Sequence, residues 1–128
     1  MIRPALDAGN IVILDRYIDS SFAYQAYARG LGFDFVSRIN TYALENCMPD
    51  VTVFMDVRPE QAFKRKGGAD DGDRIELEGL EFHNKVYAGY KELEKKFPNR
   101  IVSFAAQGTK YETSALIIEY LKGRGFIK

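Results

Sequence analysis

Residues 11–25, IVILDRYIDSSFAYQ, set the fold expected of the chain. An apolar run ends abruptly in Asp15-Arg16-Tyr17, and Ser20, Ser21, Tyr24 and Gln25 then crowd together. Ile11–Leu14 has no polar alternation, which suits a strand covered on both faces. Ser20–Ala28 follows as a helix. A buried strand that passes through a polar corner into a helix is the repeating unit of an α/β layer fold.

The alternation continues outward. Val51–Val57 and Ile101–Ala105 are further apolar runs rich in Val, Ile or Phe. Phe35, Ile39, Tyr42, Ala43 and Asn46 follow helical spacing ahead of the first of these runs. Pro59 suits the first turn of a helix running to about Lys66. Phe82, Val86, Tyr90, Leu93 and Phe97 line one side of a long helix that Pro98 stops. Ser114–Leu121 gives a last helix, and IRPALDAG at the start reads like the end of one. Gly67–Asp73, glycine-rich and acidic, is the one clear breaker cluster and is expected to be a mobile surface loop. The pattern predicts a single α/β domain over residues 1–128, a three-layer parallel sheet with flanking helices. Three strands make that sheet narrow.

Composition excludes several classes. Of 128 residues, 46% are hydrophobic and 28% charged, as in a globular protein. Lys and Arg total 18 and so do Asp and Glu, so there is no basic excess for sequence-independent nucleic-acid binding. The longest apolar run is far too short to span a bilayer, and the N-terminus has no signal-like apolar core. The single cysteine, Cys47, excludes an intrachain disulfide and reads as a packing residue in a reducing, cytoplasmic setting. His83, the only histidine, shows no carboxylate–histidine–nucleophile constellation and reads as structural or exposed.

In open α/β sheets, ligands sit beyond the carboxyl ends of the strands. Asp15-Arg16 is expected at such an end. A carboxylate there holds Mg²⁺ or accepts a proton, and an arginine forks onto phosphate oxygens; a salt-bridged strand terminus is the plainer alternative. Ser21 and Gln25, four apart on a helix, share a face, and a hydroxyl beside a carboxamide reads a nucleobase edge. Tyr24 adds a ring and a hydroxyl. The plainer readings are a helix cap for Ser20 and partial burial for Tyr24.

IVILDRYIDSSFAYQAYARGLG, residues 11–32, resembles the thymidylate kinase family in its apolar strand, Asp-Arg-Tyr corner and Ser-x-x-x-Tyr-Gln type helix. PDVTVFMDVRPEQAFKRK (49–66) resembles the family's next strand and the helix entering its lid, and DRIELEGLEFHNKVYAGY (73–90) the lid exit and following helix. The resemblance implies a P-loop kinase of the nucleoside-monophosphate type, with a lid at about 64–76, that phosphorylates dTMP to dTDP with ATP and Mg²⁺ on the route to dTTP. It implies that Arg16 contacts the dTMP phosphate and the transferred group. Asp15 would organise Mg²⁺ through water or assist the acceptor phosphate. Ser21 and Gln25 would hydrogen-bond thymine, and Tyr24 would pack by the deoxyribose. Ser20 and Arg29 would be site neighbours. Arg65, Lys66 and Arg74 would be lid cations, with Arg74 the catalytic candidate in the better-matched Asp-Arg-Ile-Glu. Asp70-Asp71 inside the lid departs from a purely cationic clamp. The family forms homodimers.

A kinase of this kind needs G-x-x-x-x-G-K-[ST] between a strand and a helix. Only Gly67 and Gly72 have the glycine spacing, and Asp73-Arg74 follows them. The expectation is therefore the C-terminal portion of a thymidylate kinase, without the first two strands and the phosphate loop, and inactive alone. An engineered truncation, a partial gene or a late start codon would each give this. A deoxynucleoside kinase and a non-catalytic nucleotide-binding or interaction fragment are the alternative readings.

Overall fold

The structure, a computed structural model, describes residues 2–44, 47–65, 73–106 and 108–128. Its elements run α1 (Ile2–Asp7), α2 (Ile18–Ser21), which continues as a π-helix (Phe22–Ala28), α3 (Phe33–Leu44), β1 (Thr52–Asp56), α4 (Pro59–Arg65), α5 (Asp73–Lys96), β2 (Ile101–Ala105) and α6 (Lys110–Gly123). β1 and β2 pair in parallel, from Thr52 opposite Ile101 to Asp56 opposite Ala105.

Strand alternation puts neighbouring side chains on opposite faces, and the contacts follow it. Phe54 meets Tyr90 and Tyr87 of α5, and Ser103, its register partner, bonds Glu94 of α5. Phe104, one residue on, meets Tyr120 of α6. Helices therefore cover both faces, which is the three-layer arrangement expected. α6 starts four residues earlier than its apolar spacing implies. Thr109 caps it by accepting from the Glu112 N–H at 3.2 Å, the Thr-x-x-Glu of a capping box.

Ile11–Leu14 corrects the sequence reading. It forms no strand, and Ile11, Ile13 and Leu14 are 63%, 89% and 44% exposed. β-branched apolar residues give a tendency to extend, but only a ladder partner makes a strand. The described strands pair with each other and leave this run outside the sheet. The chain reaches it from α1 through a Schellman turn. Gly9 at φ 82° and Asn10 donate to Leu6 and Ala5.

The core sits between α5 and the α2–π segment. Ile18, Phe22, Ala23 and Ala26 pack with Val86 and Leu93, joined by Val36 and Ile101. Gly89 lets the helices touch, since a Cβ there would lie 2.9 Å from the Tyr27 Cβ and 3.2 Å from the Ala23 carbonyl oxygen. The helix expected from Phe35 to Asn46 is seen as Phe33–Leu44, with another face inward. Phe35 and Ile39 are exposed, while Phe33, Val36 and Leu44 pack on the core. Spacing alone does not choose between two apolar stripes of one helix. The Gly67–Asp73 cluster lies almost wholly outside the described residues.

Two polar networks join helix to sheet. Asp19, 3% exposed, takes both prongs of the Arg100 guanidinium at 2.5 and 2.9 Å and the Thr52 hydroxyl at 2.6 Å. Asp56 accepts from the Tyr87 hydroxyl at 2.5 Å and pairs with Lys91 at 3.0 Å. Lys91 also pairs with Glu94 at 3.0 Å. The Tyr87 bond, aided by Lys91, holds the Asp56 carboxyl below its ordinary range. Desolvation alone would raise the Glu94 carboxyl, but the Ser103 hydroxyl and Lys91 outweigh it and the net shift is downward.

Breaking a buried pair strands a charge, so Asp19→Ala should lower unfolding stability by about 3 kcal/mol in urea. A loss under about 1 kcal/mol would place the pair with exposed ones. Asp56 and Glu94 bind protons more weakly folded than unfolded. Their stabilisation is whole above the ordinary carboxylate values of about 4 and drains as pH falls through the lower folded ones. The urea midpoint should fall on acidification below that range, and fall less steeply in Asp56→Asn.

Candidate functional site

The Asp15-Arg16 corner links the unpaired run to α2. Arg16 has φ 73°, a left-handed conformation uncommon for a residue with a side chain. Its guanidinium lies 4.5 Å from the Tyr24 ring centroid, and its Nε donates to Ser20 Oγ at a long 3.5 Å. Ser20 Oγ is 2.7 Å from the Tyr90 hydroxyl. Tyr24 meets Phe82 of α5 at 5.8 Å between centroids, and the Arg29 guanidinium lies 5.4 Å from the other ring of that pair, Phe82. Arg16, Tyr24, Phe82 and Arg29 thus form a row, two guanidiniums flanking two aromatic rings. Guanidiniums stack on ring faces while keeping their N–H fork available for oxyanions.

The π-helix shapes this row. Arg29 N–H bonds the Tyr24 carbonyl five residues back at 3.0 Å, and Leu31 and Gly32 reach back to Gln25 and Ala26. Such wide turns are rare and recur at functional sites. Ser20 and Tyr24 both come to the Arg16 side chain. Ser21, half-buried, closes α2, and Gln25 is exposed on the π-helix. Neither has a hydrogen bond through its side chain among the described residues. Asp15 is exposed at the corner. Lys66 lies outside the described residues. Arg65 ends α4 and Arg74 stands in the first turn of α5, with side chains outside the described set.

Sequence reasoning assigned Phe82 and Tyr90 to the core face of α5, and both are half-buried there. Their link to the corner was missed, because nothing local connects residues 70 apart. Asp19 was missed too, although a carboxylate between Ile18 and a run of helix-forming residues was the available signal. Beside Tyr90, between β1, α4 and α5, lies a cavity of about 240 Å³ lined by Phe54, Val57, Pro59, Ala62, His83, Val86, Tyr87 and Tyr90.

No cluster of three metal-ligating side chains occurs among the described residues. Mg²⁺ keeps most of its water and needs only one or two carboxylates. Asp15, exposed beside Arg16, has the open carboxylate that a water-mediated ion asks for. No helix among the described residues is long and apolar enough to cross a membrane.

The family model for thymidylate kinase matches residues 1–117. A thymidylate kinase from Thermoanaerobacter pseudethanolicus is 50% identical over 101 residues, covering 79% of this chain and 49% of the relative. One from Caldanaerobacter subterraneus subsp. tengcongensis is 44% identical over 126 residues, covering 95% and 60%. Among solved structures, thymidylate kinase from Ehrlichia chaffeensis superposes with a TM-score of 0.72 at 27% identity, covering 95% of this chain and 56% of that one. The chain spans about half to three fifths of the length of these relatives. A match over residues 1–117, with the Asp-Arg corner, its helix and the parallel strands inside it, makes this chain a member of the thymidylate kinase family.

Proposed function

We propose that the chain forms the acceptor side of an ATP-dependent thymidylate kinase, which moves a phosphoryl group from ATP to dTMP. The observation that carries this reading is the Arg16 guanidinium held over Tyr24 beside Ser20, at the corner where the helix begins. Phosphoryl transfer asks the protein mainly for positioning and charge neutralisation. Arg16 meets the acceptor phosphate and steadies the charge that builds on the transferred group. Ser21 and Gln25 face the thymine, Tyr24 the deoxyribose, and Arg29 closes the far end of the row. Asp15 would hold Mg²⁺ through water, and the ion would supply neutralisation of phosphate charge. Arg65, Lys66 and Arg74 are the lid cations of this reading, and Arg74 is the one assigned to catalysis. The parent enzyme is read as a cytoplasmic homodimer, as the family resemblance implies.

Titrating dTMP into the 128-residue chain should give saturable amide shifts at Ser21, Gln25 and Arg16. Thymidine, without the phosphate, should bind at least about tenfold more weakly, as expected for loss of one charge-assisted pair. Equal binding of thymidine would favour a kinase acting on the sugar hydroxyl, and no shift with either would sink the acceptor reading.

These 128 residues contain no G-x-x-x-x-G-K-[ST] loop. By themselves they should release ADP from ATP and dTMP far below ordinary enzyme rates of about 1 s⁻¹ or more. A coupled assay that finds such turnover would require another ATP cradle.

A further inference from the structure

We propose that Tyr90 is a positioning residue: its hydroxyl anchors Ser20 Oγ, and through it α5 aims the Arg16 guanidinium. The inference rests on the reading of Arg16 as the phosphate-binding arginine. The geometry is a relay of short reach. The Tyr90 hydroxyl and Ser20 Oγ are 2.7 Å apart, and the Arg16 Nε donates to the same Ser20 oxygen at 3.5 Å. A serine hydroxyl has two acceptor lone pairs and one proton, so Ser20 can accept the Arg16 N–H and still bond the Tyr90 hydroxyl, either of the two hydroxyls donating between them. Burial pushes the Tyr90 phenol above its ordinary range despite the Ser20 bond, so the hydroxyl keeps its proton.

Tyr90 is itself fixed. Its ring stacks on Phe54 of β1 at 4.7 Å between centroids and 16° between planes. Arginine has many rotamers, and a stack on Tyr24 fixes the plane of its guanidinium without choosing its rotation over the ring. The Nε bond to an anchored Ser20 supplies that second constraint. The relay spans 70 residues and ties the corner to the long helix and the sheet behind it. A purely structural Tyr90 would act through its ring alone, so Tyr90→Phe separates the two roles.

The test reads the Arg16 Nε proton in proton–nitrogen spectra of the ligand-free 128-residue chain. Tyr90→Phe and Ser20→Ala should each speed its exchange with water about fivefold, the share of a single hydrogen bond. The double variant should exchange no faster than Ser20→Ala, and Tyr27→Phe, on the π-helix but outside the relay, should leave it unchanged. Exchange in Tyr90→Phe within about twofold of wild type, or effects that multiply in the double variant, overturns the proposal. In a dTMP titration, Tyr90→Phe should weaken binding about fivefold. Absence of any wild-type response to dTMP would defeat the functional reading, while the exchange measurement would still decide the relay.

Discussion

The two-pronged ion pair between Asp19 and Arg100 is the constraint on which the rest of the structure depends. Asp19 stands immediately before Ser20, on the turn that leaves the Asp-Arg corner, and Arg100 stands immediately before β2. Thr52, at the head of β1, bonds the same carboxylate and donates its N–H to the Arg100 carbonyl at 2.8 Å. One buried carboxylate therefore fixes the start of both strands against the start of the helix. Its charge is tolerable because each oxygen has a directed partner, and a bidentate guanidinium supplies direction as well as charge. Rotating α2 would break several bonds at once, so Ser20 and Tyr24 have a fixed origin.

α5 supplies the second half of that frame. Its 24 residues reach about 36 Å at 1.5 Å per residue, long enough to serve the core, the sheet and the corner in turn. Val86, Gly89 and Leu93 close on the π-helix. Tyr87, Lys91 and Glu94 hold the sheet by polar contacts. Phe82 and Tyr90 meet the residues around Arg16. The three jobs fall on adjoining stripes of one helix. Gly89 makes this possible, since only a residue without a Cβ lets the π-helix come near enough for Tyr24 to meet Phe82.

Much of this was legible in the sequence, and the exceptions share a cause. The β1 and β2 runs, Pro59 at a helix start and the α5 stripe are local signals, set by propensity and period. Ile11–Leu14 carried the same strand signal and formed none, because pairing is decided by a neighbour and not by the run itself. Phe35 and Ile39 carried a helix signal of the right period, yet Val36 and Leu44 turned inward, because the choice of face belongs to the packing partner. At the site, Arg16, Ser20 and Tyr24 were legible as a cluster through their short spacing and the family resemblance. Phe82, Tyr90 and Asp19 were not, since each earns its place through a contact far along the chain.

The backbone of Arg16 shows how these levels meet. A left-handed φ on a non-glycine residue is unfavourable by about 1 kcal/mol and persists only where surroundings over-determine it. The run before Arg16 contributes no ladder bonds, so the determinants must lie after it. Tyr24 holds the guanidinium from one side and Ser20 from another, and both hang from a helix that Asp19 fixes to the sheet. Glycine at this position would relax the strain and lose the charge. An arginine in an ordinary conformation would keep the charge and change where the side chain leaves the backbone. The strain is therefore tied to the direction of one cation, and the order of dependence runs from a buried carboxylate, through a helix, to an exposed guanidinium.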